Sequence, residues 1–214
     1  FNKYLDSRPM YLTDGPGSDI IYWSEIDGWA HLYRYGQDGE LKNRITSGPW
    51  HVDDIVKVDS ENEIVYFLAN GREKGINPYY EFLYSVRFDG SDLRLLSPGD
   101  AFHKIAMSDD GKYFVDNSSR VDMTPVSVLY NSDGKKIIDL EEADLSQLFA
   151  SGYEFPTTFT VKAADGITDL YGVMYTPYDL DTTKLYPIIE YVYPGPQQEG
   201  VQYSYMEPRG TLDR

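Results

Sequence analysis

The chain has 214 residues and carries 19 Lys+Arg against 35 Asp+Glu, a formal net charge of −16. A field of that sign repels phosphate backbones and anionic lipid surfaces, which excludes nucleic acid as a partner on electrostatic grounds. With no Cys there is no disulfide scaffold, thiolate zinc site or cysteine nucleophile, and the apolar run at residues 186–192 falls short of the ~20 residues that cross a bilayer.

A content of 20 Tyr, 9 Phe and 3 Trp favours strands, and these residues stand in short alternating runs separated by Asp-Gly pairs. The first unit reads Ile20-Ile21-Tyr22-Trp23-Ser24, a turn at Asp27-Gly28, His31-Leu32-Tyr33-Arg34-Tyr35, a turn at Asp38-Gly39, and a strand at residues 44–46 before Ser47-Gly48-Pro49. A second unit follows with strands at 54–58, 63–68, 82–88 and 93–96, a longer loop after residue 68 and a turn at Asp89-Gly90. A third has strands at 103–107, 112–115, 125–130 and 136–140, with a turn at Asp133-Gly134. The period of roughly 40 to 50 residues is the length of a four-stranded propeller blade. Evenly spaced strands of a β-sandwich are the alternative. About three copies cannot close a ring, since a propeller needs about four blades or more.

After Leu140 the pattern changes. Residues 141–149 have an acidic beginning and apolar Leu145, Leu148 and Phe149, which predicts a short helix at a domain boundary. Residues 157–162 and 169–175 flank Asp165-Gly166 and predict a hairpin. A polar loop at 178–184 leads to Tyr186-Pro187-Ile188-Ile189-Glu190-Tyr191-Val192-Tyr193, expected to be a buried strand that ends at Pro194-Gly195-Pro196, where an α/β sheet meets a functional loop. The start at Phe1 and the end at Arg214 read as those of a piece of a larger protein.

Five stretches, in order, resemble the dipeptidyl-peptidase IV branch of the prolyl oligopeptidase family of serine peptidases. They are Ser24-Glu25-Ile26-Asp27-Gly28-Trp29-Ala30-His31-Leu32-Tyr33, Thr46-Ser47-Gly48-Pro49-Trp50, Ser108-Asp109-Asp110-Gly111-Lys112-Tyr113-Phe114, Lys162-Ala163-Ala164-Asp165-Gly166-Ile167-Thr168-Asp169-Leu170-Tyr171-Gly172, and Tyr186-Pro187 through Gln197. In the first, the family more often has a charged residue at the place of Ile26. The likeness runs from about residue 19 to residue 197. It implies a mainly β chain, with residues 1–145 forming about the last three blades of an eight-bladed β-propeller and residues 146–214 the first strands of a truncated α/β-hydrolase domain. It also implies that Tyr193 gives its hydroxyl to an oxyanion hole.

Two departures limit what carries over. No Ser stands in Gly-x-Ser-x-Gly, the elbow that exposes a hydrolase nucleophile, so the Ser, Asp and His of a triad are not expected in this chain. The resemblance places an amino-terminus-binding glutamate pair in an earlier blade. Glu141-Glu142 does not match that context and reads as a solvated helix start.

The remaining candidates have simpler readings. His31, His51 and His103 are far apart and lack carboxylates at ligand spacing, so no metal or other cofactor is expected. His31 is expected to pack at a blade face. Asp109-Asp110-Gly111 and Asp133-Gly134 read as hairpin turns rather than calcium loops. Trp23, Trp29 and Trp50 read as core rather than a sugar-stacking surface. Asn117-Ser118-Ser119 matches a glycosylation acceptor, which bears on the protein only in a eukaryotic secretory route.

The resemblance implies a parent enzyme that removes dipeptides after Pro or Ala, with a peptide as substrate, the rest of its own polypeptide as partner, a homodimeric state and a periplasmic or exported location. The segment alone is expected to be inactive. The alternatives are a binding or scaffold propeller with a vestigial hydrolase-like tail, and an endopeptidase or acylaminoacyl peptidase of the same fold.

Overall fold

A computed structural model describes residues 9–177, 179–192 and 200–205 of the chain. Twelve strands form three successive four-stranded antiparallel meanders, in each of which every strand pairs only with its neighbours in sequence. The first sheet holds β1 (Met10–Leu12), β2 (Ile20–Ser24), β3 (His31–Tyr35) and β4 (Leu41–Arg44). The second holds β5 (His51–Asp59), β6 (Ile64–Asn70), β7 (Phe82–Arg87) and β8 (Arg94–Leu95), and the third β9 (Phe102–Met107), β10 (Tyr113–Arg120), β11 (Met123–Asn131) and β12 (Lys136–Glu142). A helix, α1 (Ser146–Ala150), precedes a separate hairpin of β13 (Thr157–Lys162) and β14 (Asp169–Met174). Each sheet is built from one continuous stretch of chain, and three such sheets follow one another where a sandwich has two.

The sheets pack face to face. Ile21, Trp23 and Leu32 from the first meet Val65, Phe67, Tyr84 and Val86 from the second in one buried cluster. The alternate residues of the second sheet, Tyr66 and Leu83, face the other way and pack with Leu96 and Phe114 against the third. The middle sheet is thus apolar on both faces, which is why β6 reads as a nearly unbroken apolar run instead of an alternating one. The third sheet covers only one of its faces: β11 is half-buried throughout and β12 is exposed throughout.

One backbone device recurs at the outer end of the first two sheets. The Ile45 N–H donates to the Leu32 carbonyl (2.8 Å), and Leu32 N–H donates to Thr46 Oγ1 (3.0 Å). In the second sheet Leu96 N–H donates to the Leu83 carbonyl (2.8 Å), and Leu83 N–H to Ser97 Oγ (2.7 Å). A hydroxyl thus replaces the ladder's next carbonyl, and the strand stops where the chain crosses to the following sheet. For that reason the expected strand at 44–46 lies instead at Leu41–Arg44.

Two further expectations fail. Glu141 and Glu142 are not a helix start: Ser127 pairs with Glu141 and Val126 with Glu142, so the β ladder carries the chain past the acidic pair. The helix begins only at Ser146, with no acidic residue in its first turn. Residues 186–192 form no strand, and their apolar side chains stand in the open, with Ile188 93% and Ile189 83% exposed. A buried strand needs hydrogen-bonding neighbours on both sides, and among the described residues none pairs with this run.

Candidate functional site

At one end of the stack emerge the long β6–β7 loop, the β8–β9 connection and the β10–β11 turn. Together with the hairpin and residues 201–203 they enclose a cleft of about 360 Å³. The loop is shaped by its own sequence. Gly71 and Gly75 take positive φ, Asn77 Oδ1 accepts the Tyr79 N–H (3.1 Å), and the Asn77 carbonyl accepts the Tyr80 N–H (3.0 Å). That Asx turn sends Tyr80 inward, where burial raises its hydroxyl pKa. Behind it the Tyr84 hydroxyl donates to Glu73 Oε1 (2.8 Å), while Arg72 lies 5.3 Å over the Tyr84 ring.

Across the cleft, Arg120 at the end of β10 is clamped. Its Nε donates to Asp122 Oδ1 (2.8 Å) and its Nη1 to both Asp100 Oδ2 (2.8 Å) and the Asp100 carbonyl (3.0 Å). One cation between two carboxylates leaves the rim net negative. The hairpin supplies the third wall. Phe159 lies opposite Gly172 in the register, and a Cβ at Gly172 would run into the Phe159 ring, so the ring lies flat across the glycine. The hairpin turn is fixed by Asp165, whose carboxylate accepts the Thr168 hydroxyl (2.6 Å) and the Ile167 and Thr168 N–H groups (2.8 and 2.9 Å). Those bonds, the hydroxyl's first, lower its pKa.

The chain returns to this end after residue 199. Tyr203 stacks on Tyr79, with ring centroids 5.0 Å apart and planes within 4°, and Tyr171 meets Tyr79 edge-on at 5.9 Å. Tyr205 N–H donates to Ser119 Oγ (3.1 Å). Among the described residues the cleft lining includes no His, Ser, Cys or Lys.

The structure does not bring the three histidines together. His31 is fully buried; its Nε2 donates to the Gly48 carbonyl (2.9 Å), which leaves Nδ1 to accept from the Thr46 hydroxyl (3.0 Å). Burial lowers its pKa against the opposing pull of the Gly48 carbonyl. His51 Nε2 lies 3.9 Å from Asp53 Oδ1. His103 Nδ1 meets Asp116 Oδ2 at 2.8 Å, both side chains buried. That pair has the form of two-thirds of a catalytic triad, but His103 Nε2 has no hydrogen-bond partner, and the pair is enclosed in the body of the stack. Among the described residues no three His, Cys, Asp or Glu side chains converge as metal ligands.

Both Asp-Gly candidates are hairpin turns. Gly111 N–H returns to the Ser108 carbonyl (2.9 Å) and Gly134 N–H to the Asn131 carbonyl (3.0 Å). Trp23 and Trp50 are core, but Trp29 is not: it is 47% exposed at the β2–β3 turn, because the turn carries it beyond the packed faces. Asn117 is exposed mid-strand, and its Oδ1 accepts the Ser127 hydroxyl (2.6 Å). Tyr193 lies outside the described residues. The Arg120 clamp and the Tyr79–Tyr203 stack went unread in the sequence; the Asn77-Pro78 turn signal was the one available hint of an ordered loop.

Comparison with known proteins shows what this architecture is similar to. A family model described as the dipeptidyl peptidase IV (DPP IV) N-terminal region matches residues 3–125. Dipeptidyl peptidase 4 of Arthroderma otae is 28% identical over 193 residues, 85% of this chain and 24% of that protein. A probable dipeptidyl-aminopeptidase B of Tuber melanosporum is 28% identical over 221 residues, 94% of this chain and 23% of that protein. Among solved structures, dipeptidyl peptidase 4 of Porphyromonas gingivalis superposes with a TM-score of 0.66 at 25% identity, covering 83% of this chain and 24% of that one. A putative dipeptidyl aminopeptidase IV from Bacteroides ovatus gives 0.73 at 25% identity, covering 92% and 30%. The chain thus spans about a quarter of the length of the curated relatives it matches.

Proposed function

The chain belongs to the family of the dipeptidyl peptidase IV N-terminal region, and from that membership we propose that it is a segment of a serine peptidase that releases N-terminal dipeptides, after Pro or Ala. The observation that carries this reading is the coincidence of the family match over residues 3–125 with the three repeated sheets. In this reading residues 1–145 are the last three blades of an eight-bladed propeller and residues 146–214 begin an α/β-hydrolase domain. The propeller acts as a size filter that admits peptides and excludes folded proteins. The exposed β12, the hairpin and residues 185–192 are then faces that the rest of the polypeptide covers. The parent enzyme is exported or periplasmic and dimeric, as the family resemblance implies.

The chemistry is acyl transfer. A serine hydroxyl outside these residues attacks the carbonyl carbon of the scissile bond and gives its proton to a histidine oriented by an aspartate. The amine leaves with that proton, and water hydrolyses the resulting ester. Negative charge gathers on the carbonyl oxygen at each tetrahedral stage. Tyr193 donates its phenol hydroxyl to that oxygen, and losing one such donor costs about 3–4 kcal/mol of transition-state stabilisation. The 214-residue segment alone, without nucleophile or base, is inactive.

The test is to express the intact parent with and without Tyr193→Phe and measure hydrolysis of a Gly-Pro chromogenic amide. A fall in kcat of about 10²-fold or more at unchanged thermal stability supports the assignment. An unchanged kcat removes Tyr193 from the oxyanion hole, and an inactive wild-type parent favours the non-catalytic binding propeller.

A further inference from the structure

Residues 179–192 run along the outside of the molecule with their apolar side chains in solvent, Leu185 and Ile188 foremost. The chain regains the sheets at residues 200–205, and it does so at two points on either side of the buried Ser204. Before it, Tyr203 lies flat on Tyr79 of the β6–β7 loop, and the edge contact from Tyr171 fixes Tyr79 from the hairpin side. After it, the Tyr205 amide is held by Ser119 of β10, and Phe155 meets the Tyr205 ring edge-on at 6.4 Å. Three parts of the chain, the β6–β7 loop, β10 and the connection between α1 and β13, therefore converge on six residues that have no ladder of their own. A segment without secondary structure is located by its side-chain contacts, among them the packing of Tyr203 on the core, and a parallel aromatic stack combined with an edge contact defines both distance and orientation.

We propose that Tyr79 is a positioning residue: its ring holds the segment 200–205 against the sheets. In a peptidase this ties residues 200–205, on the side of the chain proposed to begin the hydrolase domain, to the β6–β7 loop, which gives that loop a part in turnover without any contact to substrate. The kinetic half of the proposal rests on the peptidase reading; the structural half does not. The Tyr79 ring acts through its face, so its hydroxyl is dispensable.

The experiment uses the intact parent as wild type, Tyr79→Ala and Tyr79→Phe, with Ser119→Ala as a second way to release the same segment. Hydrogen exchange followed by mass spectrometry reads the peptide containing Tyr205, and hydrolysis of a Gly-Pro amide reads kcat and KM separately. The expected result is about 2- to 12-fold faster exchange at Tyr205 in Tyr79→Ala, the range that loss of one aromatic pair permits, with kcat lowered by a similar factor, KM unchanged, and Tyr79→Phe matching wild type in both. Unchanged exchange in Tyr79→Ala overturns the proposal, and faster exchange in Ser119→Ala alone assigns the hold to Ser119 instead. Faster exchange with unchanged kcat overturns the positioning role. If the wild-type parent does not hydrolyse the amide, the peptidase reading fails, and the exchange arm alone decides whether Tyr79 holds the segment.

Discussion

His31 shows how one buried side chain constrains what pH does to the fold. Its Nε2–H is committed to the Gly48 carbonyl and its Nδ1 to the Thr46 hydroxyl, whose oxygen in turn accepts the Leu32 amide. A second ring proton would sit on Nδ1 and force the Thr46 hydroxyl to turn its own proton away, and burial holds the His31 pKa below the ordinary 6.5. The unfolded chain binds that proton more readily. Its contribution to stability is therefore complete above about pH 6.5 and is lost as pH falls below that value. Urea unfolding midpoints of wild type should drop between pH 7 and pH 5 by more than those of His31→Gln. Parallel pH profiles for the two would show that His31 titrates alike in both states. Tyr33 titrates at the other extreme: burial, then its bond to Asp27 (2.8 Å), push its hydroxyl up to about 12, so it stays protonated through this range.

At the scale of the elements, the turns do more than reverse the chain. Gly90, in the β7–β8 turn, has φ +86°, and a Cβ there would lie 2.9 Å from the Ile45 carbonyl oxygen. The second sheet's turn is thus pressed against the end of the first. Gly28, with φ +88°, has nothing within 4 Å. Gly28→Ala should cost about 1 kcal/mol from its left-handed backbone alone, and Gly90→Ala clearly more, since the obstruction is backbone and cannot rotate away. Chemical denaturation of the two variants checks this, and equal losses would mean that the turn gives way at no cost. Strands flanked by such turns were legible in the sequence: Ile20–Ser24 and His31–Tyr35 stand where alternation and Asp-Gly placed them. The three-residue β1 was missed because it owes its existence to pairing with β2, not to its own pattern. The end of β10 was missed because residues 116–120 are polar and are held by neighbours on both sides. The cleft was illegible for a related reason. Asn77, Asp100, Arg120, Phe159 and Tyr203 meet only through the stacking of separate elements, and no local spacing encodes that.

For the molecule as a whole, the contrast between the doubly covered second sheet and the third sheet and tail, which leave apolar surface exposed, is itself testable. Ile188 is 93% exposed in this chain, so Ile188→Thr should change the stability of the 214-residue segment by no more than about 0.5 kcal/mol. In the intact parent, where the run 186–192 is proposed to enter a hydrolase sheet, the same change should cost about 2 kcal/mol or more. Paired urea titrations of segment and parent provide the comparison, and a small loss in both would dissolve the proposed sheet. Among the described residues no helix is long and apolar enough to cross a membrane.

The pairing of each strand only with its neighbours in sequence also sets the order of events at the ribosome. No strand has to wait for a distant partner, so contact order within a sheet is low and each sheet can close as soon as its own residues have emerged. Translation at about 5–20 residues per second delivers one sheet every few seconds, whereas a hairpin forms in about 1–10 μs. Synthesis, not search, therefore paces the assembly. The second sheet, apolar on both faces, must stand for those seconds with one face uncovered until the third arrives, and that interval is when the nascent chain offers most to a chaperone.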